Sequence, residues 1–311
     1  MKKNKMIREV LVLMMLTIAI SAKGQMNFQD SSVQVISYWD LGEQYEYAVS
    51  LQKLKYTETD TTSNETITYD VEVSVIDSTK NSYTIRWFYK NFKSDSKNPI
   101  VKKLAALAED IAVDIKTDEL GVIQSVENWE EVRDYMAISL DSLKRDYSGI
   151  PGMDKVFEQM EGMYSTKSAI EASSIQDVQQ FHNFNGGKFI LNETVTGQLK
   201  TSNLFEIDKP FDTEVIVTLE ELDADNNQYV IRSIQEVNSE QLTETTYNYL
   251  KRMNDELGQE FIEREKFMSL KNTVETVSRI HNTGWVLESI LWKEVFADGT
   301  SSMEIRRIEM K

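Results

Sequence analysis

The sequence predicts an α+β fold: antiparallel β-meanders, two related copies forming one or more curved sheets, with a helical insertion around residues 128–181. Three observations carry this. Segments in both halves alternate apolar and polar residues with a period of two, which puts one face of a strand inward. Between them lies a long stretch whose apolar residues keep helical spacing. Two motifs of the first half recur, in the same order, in the second.

The first strands read from "QYEYAVSLQKL" (44–54), with Tyr45, Tyr47, Val49 and Leu51 two apart, and from "ITYDVEVSV" (67–75) and "YTIRWFYKNF" (83–92). "NPIVKKLAALAED" (98–110) reads as a helix with Pro99 in its first turn, where the missing N–H costs nothing. "IAVDIKTDELGVIQSV" (111–126) returns to strand, turn and strand. Asn128 then stands as an N-cap, with Glu131 three residues on as in a capping box. Val132, Tyr135, Met136, Leu140 and Leu143 form one helical stripe. "SGIPG" (148–152) interrupts it, and Met153, Val156, Phe157, Met160 and Met163 form another. Gly186 and Gly187 end the helical section.

Strands resume at 193–207, 213–222 and 228–237, followed by a helix near 242–258. "VETVSRI", "WVLESILWKEVF" and "MEIRRIEM" close the chain as strands, with "ADGT" (297–300) as a hairpin turn.

The echo has two parts. Glu72, Val73, Val75 and then Tyr83, Ile85, Arg86 match Glu214, Val215, Val217 and then Tyr229, Ile231, Arg232. Gly121 and Trp129 match Gly284 and Trp292, each pair eight apart and each tryptophan opening "WxEV". Residues 25–185 then form a first meander with the helical insertion, and 186–311 a second; the two can pack as one domain.

Lys2, Lys3, Lys5 and Arg8 precede the uncharged run Val10–Ile20, and Ala22 and Gly24 sit where a signal peptidase needs small residues. This is the layout of a secretory signal over 1–24, with a run too short to span a bilayer. No cysteine is present to carry a lipid anchor, so a soluble exported chain is expected, in the periplasm or at the cell surface. Removing the signal leaves 29 basic against 50 acidic residues. Such a surface repels phosphate backbones, so nucleic acid is excluded as a partner. The absence of cysteine also excludes disulfides, thiolate catalysis and zinc–cysteine sites.

No catalytic, metal or cofactor site emerges. His182 and His281 are the only histidines and each stands alone. "DADNN" (223–227) begins like a calcium loop, but Gln228 and Ile234 replace the required glycine and glutamate, so it reads as a polar turn. "NGGK" (185–188) lacks the rest of a phosphate loop. Paired acids such as Glu220 and Glu221 are expected by chance in so acidic a chain. The aromatics and methionines offer the remaining possibility: a groove between sheet and helices lined by Trp285, Trp292, Met160 and Met163, binding a lipid or another apolar ligand. Envelope scaffolding through a second protein, and hydrolysis of unidentified type, are the alternatives. In "RIHNTGWVLESILWKEV" the histidine has no counterpart in the first half, so His281 reads as a turn residue, and the exposure of Trp285 becomes informative.

The basic start, the "GQ" at the cleavage point and "YWxLGxxYxY" (Tyr38, Trp39, Leu41, Gly42, Tyr45, Tyr47) resemble uncharacterised exported Bacteroidota proteins. The resemblance implies an envelope location and no activity. In fold class, curved antiparallel sheets with inserted helices also resemble periplasmic lipoprotein carriers.

Overall fold

A computed structural model describes residues 25–311 apart from 58, 59, 148, 151, 174, 204, 207 and 298; the expected export signal, 1–24, lies outside the described residues. Long alternating segments become long strands. The first meander is β3 (Gln44–Thr57), β4 (Thr61–Thr79), β5 (Ser82–Ser94), β6 (Ala112–Asp118) and β7 (Ile123–Val126). The second is β9 (Thr194–Thr201), β10 (Phe211–Asp223), β11 (Gln228–Val237), β12 (Lys271–His281), β13 (Val286–Ala297) and β14 (Thr300–Met310). The last strand pairs with the first, so both meanders belong to one antiparallel sheet of eleven strands in the order β7-β6-β5-β4-β3-β14-β13-β12-β11-β10-β9. The sheet is open, with β7 and β9 at its edges.

Strand register arranges the inner face in rows that cross the sheet. At one end Glu65, Lys53, Glu304 and Lys293 stand side by side on β4, β3, β14 and β13. The next row is Ile67, Leu51, Arg306 and Leu291, followed by Tyr69, Val49, Ile308 and Ser289. Deeper still, Tyr47 faces Val71, and Val73 faces Trp87. Polarity thus falls from a charged rim to a wholly buried interior within a few residues of each strand.

Helices cover the interior on the first meander's side. α1 (Pro99–Ala105) packs on β5, α2 (Trp129–Tyr147) on β6, and α3 (Met153–Tyr164) on α2. α4 (Lys167–Ser173) lies on β7, and α5 (Gln176–Phe181) runs inside against β13. Val132, Met136, Leu140 and Leu143 are the buried face of α2, as their spacing predicts. α6 (Ser239–Glu256) is capped by Asn238 and closes a separate small core of Phe211, Val237 and Leu242.

Several expectations are corrected. The helix expected over 98–110 ends at Ala105, because Asp110, at φ 61°, turns to donate its N–H to the Tyr89 carbonyl. The strand expected to 207 ends at Thr201; beyond it the Asn203 side chain accepts from the N–H groups of Phe205 and Glu206, a local turn that replaces ladder bonds. Asn128 does not cap α2 with its side chain. Its amide bonds the Asp114 N–H and the Ala112 carbonyl, fastening β6 to the start of the helix. β1 (Met26–Asn27), β2 (Ser32–Gln34) and β8 (Lys188–Ile190) were not foreseen and form a separate three-stranded sheet.

The two echoed glycines meet at one place. Gly121 in the β6–β7 turn and Gly284 in the β12–β13 turn both have φ near +88° (+87° and +88°), a region L side chains rarely enter. A Cβ on Gly121 would fall 2.0 Å from Ser37 Oγ, and one on Gly284 2.5 Å from the Ile36 carbonyl oxygen. Ser37 N–H donates to Leu120 O and Tyr38 N–H to Thr283 O. The segment around Ile36 to Tyr38 therefore threads between the two turns and ties both meanders together.

Candidate functional site

Where α1, α2, α3 and α5 stand off from the first meander they leave a groove of about 350 Å3, within the usual range for small-ligand pockets. The sheet contributes Leu51, Ile67, Tyr69, Tyr89 and Val113, and the helices Ala105, Val132, Met136 and Met163, with Ile175 just before α5. Both layers thus line it, and most of the wall is apolar.

One end is polar. Arg306 on β14 is 5% exposed and lies among three groups. Its Nη2 donates to Gln176 Oε1 at 2.6 Å and to Glu304 Oε1 at 2.9 Å. Its Nε lies 3.1 Å from Asp177 Oδ1, in ion-pair contact but out of line for a hydrogen bond. Tyr69 Oη donates to Asp177 Oδ2 at 2.7 Å. Burial opposes the guanidinium charge, yet Asp177 and its neighbours hold the Arg306 pKa above its ordinary value. Burial first, and Asp177 second, push the Tyr69 and Tyr89 hydroxyls up, so both stay protonated donors. A buried charge that has lost water must be paired, and here α5 supplies the partner to the sheet.

The bend that opens the groove is visible in β5. Asn91, at φ 62°, interrupts the pairing with β4, and the Glu109 carboxylate accepts from the N–H groups of Asn91 (2.7 Å) and Phe92 (2.9 Å). Phe92 is thereby turned to stack on Tyr69, with ring centroids 4.5 Å apart.

The four residues expected to line a groove are dispersed. Met163 does line it. Met160 packs, partly buried, against the main core. Trp285 is 2% exposed, in contact with Trp39, Tyr45 and Phe181, and its Nε1 donates to Glu43 at 3.2 Å. Trp292 pairs with Ile305 and Glu275 and stands on the face away from the groove, since the adjacent Leu291 belongs to the row of Arg306. Sequence reasoning missed Arg306, Asp177 and Tyr69. The one available signal was a basic residue placed in an otherwise inward-facing strand position of "MEIRRIEM".

The histidines form no nucleophile–base pair among the described residues. His281 Nδ1 is 2.9 Å from Thr283 Oγ1 within its own turn. His182 is buried with Nδ1 2.8 Å from the Gly121 carbonyl, which fixes the proton on that nitrogen; desolvation lowers its pKa to about 4. Asp223 in "DADNN" bonds Asp225, Asn226 and Gln228 of its own turn. Among the described residues no three His, Asp or Glu side chains gather as a metal site, and no helix is long and apolar enough to cross a membrane.

No family model and no curated protein matches the chain. Among solved structures it is similar to a lipovitellin chain, described under lipid–protein interactions in lipovitellin, at 9% identity and TM-score 0.40; the match covers 88% of this chain and 25% of that one. A porin-like protein from Bacteroides uniformis ATCC 8492 matches at 9% identity and TM-score 0.18, over 88% of this chain and 98% of the other. At scores this low neither likeness bears on fold or function.

Proposed function

We propose that this is an exported, non-catalytic envelope protein that holds a lipid or similar apolar ligand in the groove between the first meander and its helices. One observation carries the reading: a mostly apolar groove of about 350 Å3 walled by both sheet and helices, with its polar groups gathered at one end. Burying an alkyl chain there gains about 0.8 kcal/mol per methylene, enough for micromolar binding from one chain of moderate length. The signal-like start supports export to the periplasm or cell surface. Native mass spectrometry of the protein purified from its own envelope tests the reading. A discrete lipid-sized adduct, released by organic solvent, is expected; protein that carries none and takes up none when offered lipid refutes it.

A second reading, a scaffold binding another envelope protein, is favoured by β9. This edge strand is eight residues long and has Val195 47% and Leu199 45% exposed. Envelope crosslinking from position 198 separates the two, because a scaffold gives one fixed protein adduct and a carrier does not.

We also propose that the two meanders are copies. Besides the sequence echo, α1 and α6 occupy the same place, between the echoed hairpin and the echoed glycine turn, and each begins at an asparagine whose side chain caps it. Each half of residues 25–311, expressed alone, would then keep its own hairpins in hydrogen exchange.

A further inference from the structure

We infer that the ligand is a single-chain amphiphile with an anionic head, seated on Lys53, Lys55 and Lys293 at the groove mouth. The inference rests on the groove reading above and adds the chemistry of the ligand's polar end.

The rim row sets Glu65, Lys53, Glu304 and Lys293 side by side across four strands. Lys55 follows Lys53 by two residues and faces Ser63 and Ser302, so it stands on the same face, one row further out. Glu304 is paired with Arg306 at 2.9 Å, while Glu65 accepts from Ser96 Oγ at 2.9 Å and keeps its charge, so the three lysines leave the rim with an excess of positive charge. The three lysines have no partner of their own among the described residues. They are exposed, and among the described residues none of their ammonium groups forms an ion pair or hydrogen bond, whereas Lys90, Lys103, Lys144 and Lys200 elsewhere on the chain all do.

Geometry allows convergence. Lys53 and Lys293 lie two strands apart, roughly 10 Å, and Lys53 and Lys55 roughly 7 Å apart along one strand. Each has a flexible four-carbon stem, so all three ammonium groups can reach one anion placed over Glu304. Lys53 itself lines the groove, which makes the head position continuous with the apolar walls of Leu51, Ile67 and Met163. The chain as a whole is strongly acidic and repels anions. A free positive cluster at the open end of its apolar groove is therefore a local inversion of charge at the point where an amphiphile's head would emerge.

The test is displacement of a neutral fluorescent probe, N-phenyl-1-naphthylamine, from the full exported chain. Competitors share one saturated chain length and differ in head: carboxylate, phosphate, alcohol and trimethylammonium. The carboxylate or phosphate is expected to displace the probe at roughly tenfold lower concentration than the alcohol, with the advantage shrinking as salt rises. Which anion leads distinguishes a fatty-acid from a phosphate source. In the Lys53→Gln, Lys55→Gln, Lys293→Gln variant the anions should fall to the level of the alcohol, while the alcohol is unchanged, which also reports that the groove is intact. Equal displacement by all heads, a preference for trimethylammonium, or an anion preference that survives in the variant overturns the inference and leaves the groove reading standing. A probe that never binds, with no competitor taken up, removes the groove reading and this inference together.

Discussion

On the helix-covered face, the half built from β3 to β6 presents Tyr47, Val71, Val73, Ile85 and Trp87, while the half built from β11 to β13 places Ser233, Thr276, Ser278 and Ser289 among Tyr229, Ile231 and Ile280. All twelve are buried, and the small hydroxyl side chains belong to the second half alone in this set. The difference follows from what covers them. Helices α1 to α3 pack over the first half, and large side chains fill the space beneath them. The second half is closed by side chains of α5 and the residues that follow it. Gln180 Nε2 donates to Ser289 Oγ at 3.0 Å, Ser278 and Ser289 share a hydrogen bond of 2.8 Å, and Asn183 reaches Ser233 at 3.2 Å. Small hydroxyl side chains let backbone elements approach closely and satisfy one another. The apolar-walled groove lies under the helical cover, so the ligand reading applies to that half of the sheet.

The largest effects should come from the contacts that join the halves. Phe181 sits between Tyr47, Trp87 and Trp285, and Phe181→Ala should cost roughly 3–5 kcal/mol in urea unfolding. Arg306→Ala should cost a similar ~3–5 kcal/mol by leaving Asp177 buried without its cation. Pairing Arg306→Met with Asp177→Leu should recover most of that loss; a double variant as unstable as Arg306→Ala would mean that the ion pair is not what holds α5 to the sheet.

Next comes acid. His182 is neutral and buried, with its pKa lowered from 6.5 to about 4. The unfolded chain binds this proton near pH 6.5 and the folded chain only near 4, so His182 imposes no penalty above 6.5 and a growing one as pH falls between them. The slope it adds is roughly 1.4 kcal/mol per pH unit. His182→Asn should flatten stability against pH in that window, and an unchanged slope would place the acid sensitivity elsewhere.

The same small deletion then compares the halves directly. Val73→Ala, under the helices, should cost roughly 2 kcal/mol, and Val217→Ala, half-buried on β10, less than about 1. Equal losses would show that the second half is as closely packed as the first. The smallest effects concern the two edges. At β7 the Glu171 carboxylate accepts from the Val126 N–H at 2.8 Å, blocking the edge, while β9 is open. Glu171→Gln should cost about 1 kcal/mol. Leu199→Lys should change stability by less than ~0.5 kcal/mol and lower any self-association seen by sedimentation.

The meanders were legible because alternation over many residues is a strong signal: β3, β4, β10 and β14 all extend segments recognised from it. Helices α2, α3 and α6 were legible from their stripes. β1, β2 and β8 have two or three residues each, too few for a period to show. Asn128 looked like a cap because the local pattern carries no information about β6, which takes its amide instead. The polar end of the groove joins residues far apart in the chain, Tyr69, Asp177 and Arg306, which no local pattern links. Strand alternation does not relate Trp285 to Trp292: Trp285 precedes β13, and the pairing of β13 with β12 shifts register between Val286 and Glu288, an irregularity that the local pattern does not announce.

The central claim is that an apolar chain lies between α1, α2 and the first meander. Ala105→Trp and Ala108→Trp each place an indole in that space. Native mass spectrometry of delipidated protein offered a fatty acid should show a one-to-one adduct for the unaltered chain, and loss of that adduct in both variants with the fold retained by circular dichroism. An unaltered chain that takes up no fatty acid, or variants that bind as well as it does, would contradict the account.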